Sequence, residues 1–151
     1  MRTAIRVLTL AVACLALGGC GALGGSDRSL PPIQYYFVQV FENYDRIVYI
    51  NPDGAVEVVE RTGRGAENLR RSTGKVTAEQ NKALLSAFQG WKQLKPTYST
   101  DITSVIRITY NDYTVEAGGG EKTPKQFMAA KAALDNVVRA VVTARPAETR
   151  P

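Results

Sequence analysis

Few side chains in this sequence are equipped for covalent or proton-transfer chemistry. Histidine is absent, cysteine occurs twice, at Cys14 and Cys20, and 14 carboxylates stand against 19 lysines and arginines. Without imidazole the serines and threonines have no evident base, and the common structural and catalytic zinc sets are excluded. Asp101, Asp112 and Glu116 are close enough in sequence to be tested as a general acid and base, roles that need environments driving two pKa values apart. Their positions argue against it: Glu116 falls on the polar side of an alternating segment, Asp112 in a tight turn, and Asp101 after Ser99-Thr100 at a strand entry. The run Ala117-Gly118-Gly119-Gly120-Glu121-Lys122-Thr123 offers glycines and a lysine ahead of a helix, as a phosphate cradle does. Glu121, however, puts a repelling charge where glycine is needed, and Pro124 removes an amide donor, so the run reads as a flexible loop. No catalytic residue, cofactor or metal set is expected, and the chain does not read as an enzyme.

The side chain with a defined reaction is the thiol of Cys20. Arg2 and Arg6 precede an uncharged apolar run, Val7 to Leu17, which leads into Gly18, Gly19 and Cys20. As a helix this run reaches roughly 16 Å at ~1.5 Å per residue, against about 30 Å of bilayer hydrocarbon, so it has the outline of a removable secretory signal. Leu17-Gly18-Gly19-Cys20 resembles the lipobox of bacterial lipoproteins. That resemblance implies a diacylglycerol thioether on Cys20, cleavage between Gly19 and Cys20, and acylation of the new amino group. Only a thiolate is nucleophilic enough for the thioether step. Two or three acyl chains, at about 0.8 kcal/mol per buried CH₂, hold such a product on a bilayer essentially permanently. Gly21, in place of Asp, lacks the inner-membrane retention signal of Gram-negative members. The expected location is the cell envelope, and in a Gram-negative cell the outer membrane facing the periplasm.

This reading divides the chain into a signal peptide (1–19), the lipidated cysteine with a flexible tether (20–32), one α+β domain (33–144) and a disordered tail (145–151). Cys14 leaves with the signal, so no disulfide is expected within the mature chain. The Gly- and Ser-rich tether ends at Pro31-Pro32 and spans on the order of 20 Å, enough to lift a small domain clear of the headgroups. Removing Arg2 and Arg6 from a formal charge of +5 leaves a mild excess. That is too little to argue for nucleic acid, which an exported location further disfavours.

The elements follow from periodicity. Ile33 to Phe41, Arg46 to Ile50 and Ala55 to Arg61 read as strands, the last two joined through Asn51-Pro52-Asp53-Gly54, with Pro at the second position of a type I turn. Thr77-Ala78-Glu79-Gln80 has capping-box spacing, and Leu84, Leu85, Phe88 and Trp91 follow on one helical face, weakened at Gly90 and stopped by Pro96. Ile102 to Tyr110 alternates, Asn111-Asp112 marks a tight hairpin, and Tyr113 to Glu116 returns. A second capping box, Thr123-Pro124-Lys125-Gln126, opens a final helix with Phe127, Ala130, Leu134, Val137, Val138 and Val141 in one stripe. The fold class is α+β: a single antiparallel sheet of about five strands in the order βββαββα, two helices on one face and the other face open.

This order, with Phe88-x-x-Trp91-x-x-Leu94, Tyr98, Asp101 and Ile106-x-Ile108, resembles small domains of no established activity found in exported bacterial lipoproteins. It is also similar, more faintly, to emfourin, a protein inhibitor of thermolysin-like metalloproteases. Two features offer a binding surface. Arg61, Arg64, Arg70, Arg71 and Lys75 lie in or beside a stretch, Thr62 to Lys75, that reads as a long connection and could meet lipid phosphates or an acidic partner. Strand one is apolar on both sides, with Tyr35, Phe37 and Phe41 facing one way and Tyr36, Val38 and Val40 the other. One set fits the core. The remaining aromatics are either covered by the Thr62–Lys75 loop or form an exposed protein-binding patch. The expectation is a non-enzymatic envelope lipoprotein with a protein or glycan partner, or an inhibitor of an exported metalloprotease.

Overall fold

Alternation of β-branched and aromatic residues with polar ones drives the first half of the chain into strands, and the turn residues set their order. The computed structural model describes residues 29–63, 68–98, 103–118 and 122–144. The expected signal segment with Gly19 and Cys20, the expected tether before residue 29, Arg64, Asp101, Ile102 and the expected tail 145–151 lie outside the described residues. The elements are β1 (Ile33–Gln39), β2 (Tyr44–Ile50), β3 (Ala55–Thr62), β4 (Leu69–Lys75), α1 (Ala78–Ala87), a 3₁₀ turn (Trp91–Gln93), β5 (Ser104–Tyr110), β6 (Tyr113–Ala117) and α2 (Lys125–Thr143).

Six strands form one antiparallel sheet in the order β4-β3-β2-β1-β5-β6. The β2–β3 turn closes as its sequence predicts: Gly54 donates its N–H to the Asn51 carbonyl at 2.9 Å and adopts φ +81°, while Asp53 Oδ1 accepts from Ala55 N–H at 3.0 Å. Asn111, at φ +57°, makes the β5–β6 hairpin turn. The connection through α1 carries the chain from the β4 edge to the far side of β1, so β1 lies between β2 and β5.

Both helices pack on the same face of this sheet. Phe88, just past α1, stacks on Tyr110 of β5 with ring centroids 4.3 Å apart, and Trp91 stacks on Phe127 of α2 at 5.8 Å. Trp91 also donates its indole N–H to the Tyr113 carbonyl at 3.1 Å, which satisfies the polar atom of a buried ring. The α2 stripe expected from sequence, Phe127, Ala130, Leu134, Val137, Val138 and Val141, is buried along its whole length. Leu30 joins the core ahead of β1. No helix among the described residues is long and apolar enough to cross a membrane.

Three expectations need correction. The sheet has six strands, not five, and the order is ββββαββα, because Leu69–Lys75 is an edge strand rather than part of a loop. Its one buried side chain is Ser72, and an added Cβ on Gly74 would meet Val141 Cγ2 at 2.7 Å, so close approach of α2 demands small residues where an apolar pattern would have marked a strand. The first capping box forms as read, with Gln80 N–H donating to Thr77 Oγ1 at 3.2 Å and Thr77 N–H to Gln80 Oε1 at 2.9 Å. The second does not. Pro124 occupies the N-cap without a side-chain bond, Thr123 donates to the Gly118 carbonyl at 2.6 Å, and Gln126 reaches across to the Gln89 carbonyl. α1 ends at Ala87, and Gly90 at φ +70° turns the chain into the 3₁₀ segment that carries Trp91.

Candidate binding surface on the open sheet face

Because side chains alternate across a strand, the register fixes which residues share the face away from the helices. One row runs Glu116, Arg107, Tyr36, Ile47, Val59 and Arg71 from β6 to β4. The row on one side of it carries Gln34, Tyr49 and Glu57, and the row on the other carries Val105, Val38, Asp45 and Arg61. The middle of this face is apolar, formed by Tyr36, Val38, Ile47, Tyr49, Val59 and Val105, where an antiparallel sheet facing water normally carries polar residues. Most are half-buried by one another, and Tyr49 is 40% exposed.

Charges frame this strip in pairs. Arg61 Nε donates to Asp45 Oδ1 at 2.6 Å, Arg71 lies 3.4 Å from Glu57, and Arg107 lies 2.7 Å from Glu116 while its guanidinium sits 5.9 Å from the Tyr36 ring centroid. Ion pairs made by such exposed arginines add little to stability, because solvent screens them. What they do is set the electrostatics, leaving each arginine matched by a carboxylate. Where the face runs off at the β1–β2 turn, a shallow cleft of about 360 Å³ opens among Val38, Val40, Asp45 and Arg61, with Phe41 77% exposed nearby.

Ion pairs on the helix-covered face are more enclosed. Tyr35 donates its hydroxyl to Asp135 Oδ1 at 3.0 Å, and Lys131 lies 2.6 Å from the other carboxylate oxygen. Arg46 is 3.1 Å from Glu60, which also accepts from the Tyr44 hydroxyl at 2.7 Å. Burial, with the Asp135 charge added, pushes the Tyr35 hydroxyl far above its ordinary range, and burial with the Glu60 hydrogen bond pushes Tyr44 up to about 12. Both phenols therefore remain protonated donors, and the network joins α2 to β1, β2 and β3.

The residues singled out from sequence scatter. Tyr35 is 1% exposed and Phe37 is partly buried, both on the helix side, because β1 turns its odd-numbered side chains toward the core. Neither is an open-face residue. Phe41 lies beyond the strand, in the turn. The described part of the Thr62–Lys75 segment does not cover strand one, because Leu69–Lys75 is an edge strand paired with β3. Arg61 and Arg71 join the open face, each paired with a carboxylate, Arg70 alternates to the helix side, and Lys75 stands at the opposite end of β4. They do not make one cationic cluster, and Arg64 lies outside the described residues. Asp112 sits in the β5–β6 turn 2.8 Å from Lys92, whose hydrogen bond, with a backbone one, holds its carboxyl below the usual range. Glu116 pairs with Arg107 instead, so these two carboxylates engage different cations, and Asp101 lies outside the described residues. Of the glycine-rich loop, Ala117 and Gly118 are buried and 119–121 lie outside the described residues. Among the described residues no group of three or more Cys, Asp or Glu side chains converges as a metal site would require. Ile47, Tyr49, Val59, Val105 and Arg107 had no individual signal, since only the register shows that they adjoin Tyr36.

No known protein family matches this sequence, and no curated protein matches it significantly.

Proposed function

We propose that the chain is a lipid-anchored, non-enzymatic envelope protein whose open sheet face binds a protein surface. The observation that carries the reading is the apolar strip of Tyr36, Val38, Ile47, Tyr49, Val59 and Val105, rimmed by paired charges. An apolar centre with a polar rim is the anatomy of a protein interface, and aromatic residues with arginine are enriched there. Glycan binding has less support, because the strip lacks a set of converging hydrogen-bonding side chains. The anchoring half of the proposal rests on Leu17-Gly18-Gly19-Cys20 after the apolar run. Inhibition of a thermolysin-like metalloprotease, implied by the emfourin-like spacing, also has less support. Phe88 and Trp91, which carry that spacing, are core residues at 3% and 2% exposure, and no other observation favours it.

Two measurements test the two halves. Mass spectrometry of protein isolated from its native membranes should find an acylated Cys20 as the first residue; a free thiol, or Met1 still attached, overturns the anchor. Copurification from intact envelopes should recover a partner with the wild-type chain and lose it with Ile47→Lys. A partner retained by a folded Ile47→Lys chain overturns the assignment of the face.

A further inference from the structure

The open face is suited to its own copy. We infer that its occupant is the open face of a second chain, the two sheets packed face to face about a two-fold axis running along the strands; this rests on the reading of that face as a protein-binding surface.

Three physical features favour self-association. Shape comes first: two sheets of the same twist pack aligned with their strands about 30° apart, and a two-fold closes the contact so that it cannot propagate. Area comes next. Six strands spaced ~4.8 Å, with about six residues each at ~3.3 Å, present a footprint of roughly 24 by 20 Å, so a pair covers on the order of 1,000 Å², the lower bound for a specific interface. Charge is third. The centre of the six-stranded sheet lies between β2 and β1, so an axis there lays β4 over β6 of the second copy, β3 over β5 and β2 over β1.

Along the central row, Ile47 then meets Tyr36, Val59 meets Arg107, and Arg71 meets Glu116, each from the other copy, while in the flanking row Val38 meets Asp45 and Val105 meets Arg61, charges that keep their partners within their own chain. Opposite charges face one another at both ends of the row, and each is already near a countercharge within its own chain. Self-pairing through the β4 edge would instead gather Arg70, Arg71 and Lys75 of both copies along one seam. An axis along the strands also brings both Leu30 residues to the same pole, where two tethers can reach one bilayer. Confinement to that bilayer raises the effective concentration and helps an interface of modest area.

The test uses the full chain extracted from membranes in detergent. Sedimentation equilibrium should give twice the chain mass, Ile47→Lys should raise the dissociation constant on the order of a hundredfold, and Met128→Ser, exposed on α2 and away from the open face, should leave it unchanged. A wild-type chain that stays monomeric, or a dimer indifferent to Ile47→Lys, overturns the inference. A photoreactive phenylalanine at Tyr49, already exposed, guards against a misfolded lysine variant: in intact membranes it should give an adduct of two identical chains joined near Gln34 on β1. The same probe at Asn136 on α2 should not. Adducts from Tyr49 only to a different protein refute the second copy and leave the binding surface standing; no adduct and no dimer overturn both.

Discussion

The two faces of this sheet are built from the same kinds of residue and differ in how they treat charge. Beneath the helices, apolar side chains fill the middle and the charged ones, Arg46, Glu60, Lys131 and Asp135, are half-buried, joined to tyrosine hydroxyls and cross-linked between elements. On the open side the arginines Arg61, Arg71 and Arg107 are exposed, and each pairs with a carboxylate on the adjacent strand. Polar groups on the first face hold the fold together. Those on the second leave a neutral frame around an apolar centre, which is of little use to a lone domain and of direct use to a contact.

Substitutions on the two faces should therefore have opposite signatures. The largest loss is expected for Trp91→Ala, which removes a 2% exposed indole packed edge-on against Phe88 and stacked on Phe127: about 3–5 kcal/mol by chemical denaturation. Gly74→Ala forces a methyl against Val141 and should cost about 1–3 kcal/mol, relieved in part by Val141→Ala in the same chain. A smaller effect should appear with pH. Tyr35 and Tyr44 are held protonated in the fold above the ordinary value of 10.0. Their contribution is present below pH 10, where the unfolded phenols are still protonated, and is lost as pH rises from 10 toward about 12, the folded value of Tyr44. Denaturation midpoints measured across that range should fall, and Tyr44→Phe should flatten the fall. Least affected should be stability in Val59→Thr, within about 1 kcal/mol of wild type, although partner binding drops. A Val59→Thr chain as destabilised as Trp91→Ala would erase the distinction between the faces.

Sequence alone reached much of the covered face. The α2 stripe, the first capping box and the β2–β3 and β5–β6 turns are visible because each is a local pattern with a local cause. β4 is not, since an edge strand that lies beneath a close helix carries Ser72 and Gly74 in place of an apolar alternation and is otherwise charged. The second capping box misled because Thr123 and Gln126 had better partners outside the helix, at Gly118 and Gln89. The open surface was half visible: strand one reads as apolar on both sides, but nothing local tells that Ile47, Val59 and Val105 lie beside Tyr36. That information is in the register, which forms only when four strands meet.

The position of β1 has a mechanical corollary. Its first residues follow the segment that leads toward the proposed anchor, Pro32 accepts a hydrogen bond from Asn111, and the strand is laddered on one side to β2 and on the other to β5. A pull on the chain ahead of β1 against the rest of the sheet therefore loads two hydrogen-bonded seams in shear along their length, whereas an edge strand would be peeled one bond at a time. Such a domain resists tension where its chain enters, which is what the proposed anchoring would require.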